Sequence, residues 1–309
     1  MTIALVILAV FLVLYIAGTY VIFRIASVRT KEKATNEKAA WGAFIDLINS
    51  GIEWITAKDC EKIEITSYDG LKLAARFLPA EDPRGTIILM HGYRAPLYRD
   101  FACVYEYFNS LGFNLLIPSQ RAHGESEGKY ICYGVKERYD CQKWAEYIYS
   151  RFGAESDIFL DGLSMGCSTV LMASDLKLPE NVRGILADCG FTSAWDELSY
   201  LLKRYAHLPV HPILDGVNLM VKLFAGFALD ECSTVDCVAQ TDIPILFVHG
   251  TDDTFVPCEF SKENYKACSS EKKLVLVDGA EHGVSYLVDR DGCQKEIEAF
   301  FERYSTCAK

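Results

Sequence analysis

Short β-rich runs alternate with helical runs along most of this chain, and the alternation limits the possible folds more than any other feature of the sequence. The strand candidates are residues 85–90, 113–118, 157–160, 182–187, 243–248 and 273–277. The helix candidates are residues 98–110, 134–151, 165–176, 258–267 and 293–304. This pattern predicts an α/β fold, a mostly parallel central sheet with helices on both faces. Residues 62–67 and 71–78, separated by a Tyr-Asp-Gly turn, are expected to form an opening antiparallel hairpin.

One long segment interrupts the alternation. Residues 195–239 separate two strand candidates by far more than a crossover connection needs. The segment is rich in aromatic and aliphatic residues and carries Pro209 and Pro212 near its middle. We predict two or three helices over the strand ends, forming a lid. An additional packed helical pair would produce the same pattern.

The first 23 residues form a separate apolar segment. Residues 2–23 contain no charged side chain, and as a helix they would be about 33 Å long, enough to cross a bilayer core. A cleavable signal peptide is the alternative, but it usually has a basic start, a shorter apolar run and a cleavage site. We therefore predict a transmembrane anchor at residues 1–23, a connecting helical segment at 24–59 and the main domain at 60–309.

The connecting segment bears on the orientation of the anchor. Arg24, Arg29, Lys31 and Lys33 follow the apolar run, and no basic side chain precedes it. The positive-inside rule then predicts a single-pass protein with its main domain in the cytoplasm. Further along this segment, apolar residues at mostly helical spacing predict a helix packed on the domain or lying on the membrane surface.

The cysteine content and the net charge indicate in which compartment the protein resides and which partners it does not bind. Twelve cysteines are scattered through the chain without the CxxC pairs of zinc or redox sites, which favours small buried side chains in a reducing compartment. An extracytoplasmic or secreted domain is the alternative. The closest pair, Cys232 and Cys237, has no further ligand nearby, so we expect neither a metal nor a cofactor. A net charge of −11 argues against nucleic acid as a partner.

A candidate nucleophile lies between a strand and a helix. The sequence Gly-Leu-Ser-Met-Gly at residues 162–166 follows the strand candidate 157–160 and precedes a helical run. A serine on such a tight turn needs small neighbours, because its backbone is strained and its side chain must project away from the sheet. Gly162 and Gly166 meet that need, so Ser164 is predicted to be a nucleophile.

A serine nucleophile requires a base, and the base requires a carboxylate to orient it. His282 follows the strand candidate 273–277, and the chain order serine, acid, histidine favours it as the base. A rival order would pair Asp188 with a histidine of the lid. The expected acid follows the strand candidate 243–248, where Asp252 and Asp253 both occur, and spacing alone does not choose between them.

Acyl transfer also needs hydrogen-bond donors for the oxyanion. Met165, directly after the nucleophile, offers one backbone N–H. The second is expected from the loop after residues 85–90, where the N–H of Tyr93 is our candidate because Gly92 permits close backbone approach.

These motifs together resemble the α/β-hydrolase superfamily, in particular bacterial esterases, acyl-CoA thioesterase-like proteins and S33-type aminopeptidases. The resemblance covers roughly residues 60–304 and rests on HGY at 91–93, GLSMG at 162–166, HGTDDTFVP at 249–257 and EHG at 281–283. It implies an α/β-hydrolase fold with a helical lid, and its H-G-x-x-D-x-x-V-P frame implies Asp253 as the acid. Residues 121–128 resemble the family's R-x-H-G-x-S-x-G loop, with Ser119 where an Asp usually precedes it, and we interpret His123 there as structural.

The resemblance and the motifs predict a serine hydrolase that cleaves the carboxylic ester bond of a small acyl or aryl ester through an acyl-enzyme intermediate. A thioesterase or an S33-type peptidase is the alternative, and a peptidase could use Asp196 or Glu197 to hold a substrate amine. A catalytically inactive, membrane-tethered binding protein on the same fold is a further hypothesis. It is disfavoured because every position of the predicted triad carries the expected residue type.

Overall fold

The structure is a computed structural model that describes residues 2–30 and 39–306. Its strands are β1 (Glu61–Thr66), β2 (Lys72–Leu78), β3 (Gly85–Met90), β4 (Phe113–Pro118), β5 (Asp157–Leu163), β6 (Val182–Asp188), β7 (Ile245–Gly250) and β8 (Lys272–Val277). They form one sheet in the order β1-β2-β4-β3-β5-β6-β7-β8. β2 runs antiparallel to β1 and β4, and all other neighbours are parallel. The predicted sheet and opening hairpin are confirmed.

Twelve α-helices are described along the chain. They are α1 (Thr2–Ser27), α2 (Ala39–Gly42), α3 (Ile45–Thr56), α4 (Tyr105–Ser110), α5 (Glu137–Phe152), α6 (Met165–Ala173), α7 (Ala194–Leu201), α8 (Ile213–Met220), α9 (Thr234–Val238), α10 (Glu259–Ala267), α11 (Ser285–Val288) and α12 (Arg290–Tyr304). π-Helical turns at Leu202–Ala206 and Val221–Ala225 continue α7 and α8.

One predicted helix is shorter than its sequence pattern. The candidate at residues 98–110 becomes helical only from Tyr105, and the residues before it form turns. Within those turns, Asp100 accepts a hydrogen bond from the backbone N–H of Gly92 (2.7 Å). The turns before Tyr105 therefore carry a side-chain contact to the loop eight residues earlier, which local periodicity does not reveal.

Each face of the sheet is covered by its own apolar cluster. On β3 every residue is buried, with Ile87 in the cluster that includes α3, α4 and α12, and Ile88 in the cluster that includes α5 and α6. Burial on both faces explains why the central strands read as continuous apolar runs rather than as alternating ones. The connecting helix α3 packs on the first cluster through Ile48 and Ile55.

A third apolar cluster joins the lid to the N-terminal helix. Phe23 of α1 packs with Leu214 and Val217 of α8 and with Val221 in the following π-helical turn. Among residues 2–30 and 39–306, one helix, Thr2–Ser27, is long and apolar enough to cross a membrane, a property shared by anchors and signal sequences. Lys31 and Lys33, used above to predict its orientation, lie outside the described residues.

The cysteines found in residues 2–30 and 39–306 are all free thiols, and all but Cys60 and Cys103 are buried. Cys307 lies outside these residues. The closest sequence pair, Cys232 and Cys237, has its sulfur atoms 3.6 Å apart, too far for a disulfide bond.

Candidate active site

Ser164 is the single residue between β5 and α6, and its backbone is strained. Its φ and ψ angles are 58° and −118°, in a region that non-glycine residues rarely adopt. Such a conformation costs on the order of 1–3 kcal/mol and persists only where the surroundings enforce it. Here the Ser164 N–H donates to the carbonyl of Asp188 on β6 (2.9 Å), which holds the turn at the edge of the sheet.

The two glycines around Ser164 are required because there is no room for a side chain at either position. A Cβ atom on Gly162 would lie 2.3 Å from the carbonyl oxygen of Gly166. One on Gly166 would lie 1.7 Å from the carbonyl oxygen of Met90, at the end of β3. The Gly-x-Ser-x-Gly pattern is therefore the local condition for bringing α6 this close to the sheet.

The structure brings Ser164, His282 and Asp253 into one hydrogen-bonded chain. The Ser164 hydroxyl lies 2.9 Å from His282 Nε2, and His282 Nδ1 lies 2.6 Å from Asp253 Oδ2. The three residues follow β5, β8 and β7, whose carboxyl ends meet at one edge of the sheet, where α/β proteins place their sites. With Nδ1–H donating to Asp253, Nε2 is free to accept the serine proton.

Asp253, rather than Asp252, points at His282. The Asp253 side chain is fully buried, and its Oδ1 accepts the backbone N–H groups of Phe255 (2.9 Å) and Val256 (2.8 Å). Burial by itself would raise the pKa of this carboxyl, but hydrogen bonds from His249 and His282 outweigh it and hold the pKa well below its ordinary value. Asp252 is exposed.

His249 is a second partner of the acid that sequence reasoning did not identify. Its Nε2 lies 3.2 Å from Asp253 Oδ2, and its Nδ1 lies 2.7 Å from the Ser261 hydroxyl. The imidazole is fully buried. The sequence signal that could have predicted this contact is the spacing of four residues between His249 and Asp253 in the H-G-x-x-D-x-x-V-P frame.

Of the two predicted oxyanion donors, Tyr93 lines the same cavity as Ser164, and Met165 directly follows Ser164 in the chain. The N–H of Met165 begins α6, where unpaired amides and the helix dipole favour negative charge. Within residues 2–30 and 39–306, neither this N–H nor that of Tyr93 has a hydrogen-bond acceptor. A Cβ on Gly92 would lie 3.0 Å from Asp100 Oδ2 and 3.4 Å from Ser164 Cβ, so the tightest restriction at this position comes from Asp100.

Asp100, a residue that the motifs did not single out, holds the Tyr93 loop in place together with His123. Asp100 accepts the Gly92 N–H, as described above, and His123 Nε2 accepts the N–H of Arg94 (3.0 Å). Burial lowers the pKa of His123 to about 3, so the imidazole is neutral and able to accept. The geometry of His123 agrees with the structural role expected for it.

The end of α1 holds the same loop from the opposite side. The Tyr93 hydroxyl donates to the carbonyl of Ala26 (2.7 Å), and the Arg94 guanidinium donates to the carbonyls of Ile25 (2.6 Å) and Val28 (3.1 Å). The last carbonyls of a helix lack partners within the helix and are available for such bonds. The apolar helix is thus attached directly beside the predicted oxyanion donor.

The rival arrangement with a lid histidine is not found. His211 hydrogen-bonds to Asp215 within the lid (2.8 Å), whereas the imidazole at Ser164 is that of His282. Asp188 supplies its backbone carbonyl to the serine turn, as given above.

Cys189, Asp253 and His282 could in principle form a metal site, since one potential ligand atom from each lies within 4.8 Å of the others. The carboxylate and the imidazole are already hydrogen-bonded to each other, and burial holds the pKa of the Cys189 thiol well above its ordinary value. A protonated thiol is a poor metal ligand. This donor set fits the hydrogen-bonded chain better than a metal.

Comparisons with known proteins agree with this architecture, although no family model matches the chain. YqkD of Bacillus subtilis, an uncharacterized protein, is 28% identical over 238 residues, covering 77% of this chain and 78% of YqkD. WAV2 of Arabidopsis thaliana, an alpha/beta hydrolase domain-containing protein, is 25% identical over 251 residues, 79% of either chain. The solved structure of the Pyrococcus furiosus esterase Pf2001 superimposes with a TM-score of 0.67 at 22% identity, covering 90% of this chain and 100% of the esterase.

The chain has the α/β-hydrolase fold. The predicted family resemblance and fold class are thereby confirmed, and the fold supports a hydrolase.

A cavity of about 310 Å³ opens at Ser164 and His282. Trp41, Leu163 and Phe255 provide much of its apolar wall. The Trp41 indole N–H donates to the backbone carbonyl of His282 (3.1 Å), so a residue of the connecting segment both lines the cavity and supports the base. Its aromatic character was visible in the sequence, but its position was not.

Proposed function

We propose that this chain is a membrane-anchored serine hydrolase that cleaves carboxylic ester bonds. The observation that carries the proposal is the unbroken hydrogen-bond chain from the Ser164 hydroxyl through His282 to the buried Asp253 carboxylate. A buried, ionised carboxylate holds the imidazole in the tautomer that can take a proton from serine.

In the proposed reaction, Ser164 Oγ attacks the ester carbonyl carbon while its proton passes to His282 Nε2. The N–H groups of Tyr93 and Met165 stabilise the resulting oxyanion. Collapse of this intermediate breaks the carbon–oxygen bond of the ester, and His282 gives the proton to the departing alcohol. Water then attacks the acyl-enzyme with His282 again as base, which releases the acid and restores Ser164.

The cavity favours an apolar acyl or aryl ester over a peptide. Trp41, Leu163 and Phe255 line it beside Ser164. The acidic residues considered for binding a substrate amine, Asp196 and Glu197, are not among the described residues that line it. Asp196 instead accepts hydroxyl hydrogen bonds at the start of α7 (2.7 and 2.8 Å).

We further propose that α1 is an uncleaved anchor and that the hydrolase domain is cytoplasmic. Arg24 and Arg29 follow the apolar stretch, and buried free thiols suit a reducing compartment. Protease added to intact cells should leave the domain undigested, whereas digestion would place it outside the cytoplasm.

Labelling with a fluorophosphonate probe tests the chemistry. The full chain should become labelled, Ser164→Ala should abolish labelling, and Ser150→Ala, at an exposed serine on α5, should leave it unchanged. An unlabelled native chain would instead favour the binding-protein hypothesis. Hydrolysis of p-nitrophenyl esters of graded chain length, compared with acyl-CoA thioesters and amino-acid arylamides, should then show a preference for the esters.

A further inference from the structure

An apolar groove of about 310 Å³ lies between the C-terminal turns of α1 and the lid. We call it the lid groove. It is lined from α1 by Ile22 and Ala26 and from the lid chiefly by Leu198, Leu202, Tyr205 and Val217. The lid groove is separate from the cavity at Ser164, which has its own set of lining residues.

The length of α1 places the lid groove at the level of the bilayer. Only residues 2–14 of α1 are exposed on all sides, and packing begins at Tyr15. Thirteen residues of helix rise about 20 Å, short of the roughly 30 Å of a bilayer core. If α1 crosses the membrane, the turns that carry Thr19, Ile22 and Phe23 must complete the span, and the lid lies beside them.

The lid is fixed against these turns. A Cβ on Gly216 of α8 would lie 2.5 Å from both Thr19 Cγ2 and the Tyr15 hydroxyl, so a larger residue there would have to displace one of these side chains. The Tyr15 hydroxyl donates to the carbonyl of Pro212 (2.7 Å), which satisfies a polar group at the crossing. Small residues at a crossing of this kind are a feature of helix packing in membranes.

The outer surface of the lid suits lipid contact. Leu219, Leu223 and Phe224 are exposed, and the Phe224 ring stacks on Phe23 of α1, so the apolar surface is continuous with the membrane helix. Exposed basic residues flank it at Lys203, Arg204 and Lys222, within a chain of net charge −11. Basic side chains beside an apolar face favour anionic lipid headgroups. The polar pair His211 and Asp215 is internally hydrogen-bonded (2.8 Å).

Two aromatic residues separate the lid groove from the active site. Tyr205 lines the groove, donates its hydroxyl to the carbonyl of Thr254 (3.0 Å), and has its ring 6.5 Å from that of Phe255. Phe255 lines the cavity at Ser164, and its ring is 5.1 Å from that of His282. Displacement of these two side chains would connect the groove to the nucleophile.

We infer that the lid groove receives the acyl chain of a lipid ester directly from the bilayer, with Tyr205 and Phe255 as the barrier before Ser164. The inference rests on the proposed ester hydrolysis. It names the substrate class as a membrane-resident lipid ester and α1 as one wall of its access route.

Photo-crosslinking of the unmodified full chain tests whether a lipid acyl chain lies in the lid groove, and it does not depend on enzymatic activity. The chain is reconstituted in vesicles of phosphatidylcholine and phosphatidylglycerol that contain a phosphatidylcholine with a diazirine at the end of its acyl chain. Lid peptides that include residues 198–206 should be labelled, whereas β8, whose Leu276 is exposed, should not be. Absence of label from the lid, or equal label on β8, would overturn the inference.

A groove-filling variant tests the route. With 4-methylumbelliferyl oleate in the same vesicles and p-nitrophenyl acetate in solution, Leu202→Trp should lower the ratio of vesicle to soluble hydrolysis at least tenfold. Leu276→Trp is the matched control and should leave both rates unchanged. An unchanged ratio in Leu202→Trp would refute the route. Failure of the native chain to hydrolyse either ester would refute the proposed function, while crosslinking would still report on the groove.

Discussion

Replacement of Asp253 by asparagine is the sharpest test of the active-site geometry. Asparagine has the same shape, and its carbonyl oxygen can keep the hydrogen bonds from the N–H groups of Phe255 and Val256. Its NH₂ group then occupies the position of Oδ2, 2.6 Å from His282 Nδ1. His282 must accept that hydrogen bond at Nδ1 and carry its proton on Nε2, where it can no longer take the proton of Ser164.

The expected loss follows from this change of tautomer. In serine hydrolases with the same arrangement it amounts to roughly 10⁴ in kcat, or about 5.4 kcal/mol at 1.36 kcal/mol per factor of ten. The Asp253 side chain is fully buried, so solvent does not screen the lost charge. We expect kcat of Asp253→Asn to fall by about 10³–10⁴.

The assay is the kcat for p-nitrophenyl butyrate together with the rate of fluorophosphonate labelling, with folding checked by circular dichroism. Asp252→Asn is the matched control, because that exposed side chain should change kcat less than about twofold. An equal loss in both variants, or a loss in Asp252→Asn alone, would refute the assignment of the acid.

Three further predictions follow from the same region. Gly166→Ala should prevent accumulation of folded protein, because the added Cβ would overlap the Met90 carbonyl. Soluble yield and thermal unfolding measure this, and a normal unfolding transition would contradict it. Tyr93→Phe removes the hydrogen bond to Ala26, which should cost about 0.5–1.5 kcal/mol of stability, and should lower kcat about 2- to 10-fold if α1 positions the Tyr93 loop. An unchanged kcat would show that this contact of α1 does not affect the reaction. Because the pKa of Asp253 is lowered in the folded state, its ionisation stabilises the protein above about pH 4, and this contribution is lost as the pH falls. The free energies of unfolding in urea of the native chain and of Asp253→Asn should therefore differ most near neutral pH and least in acid.

The setting of Ser164 could be predicted because its signals are local. A strand, a glycine on either side of the Leu-Ser-Met core and a helix all lie within a few residues, and each is read from residue type and periodicity. The choice between Asp252 and Asp253 could not be made by spacing. Adjacent side chains point in different directions, and the one that faces His282 depends on how the loops after β7 and β8 meet.

The residues that contact Asp253, Gly92 and His282 were not predicted from the sequence, for a related reason. His249 contacts the acid, Asp100 holds Gly92, and Trp41 binds the carbonyl of His282 across 241 residues of chain. Asp100 and Trp41 belong to no motif, since their contacts join separate segments, whereas His249 lies in the same H-G-x-x-D frame as Asp253. The helix expected from residue 98 begins only at Tyr105, and the turns before it carry the contact from Asp100 to Gly92, which periodicity does not reveal.

The α/β architecture, the strained serine turn and the apolar N-terminal helix could be predicted from residue type and spacing, because hydrophobic periodicity and steric requirements act over a few neighbouring residues. What this helix contacts depends on the tertiary structure. Its carbonyls at Ile25 and Ala26 accept hydrogen bonds from Arg94 and Tyr93, and its side chains pack against Gly216 of the lid. Those contacts depend on elements brought together by the sheet, and no local pattern encodes them.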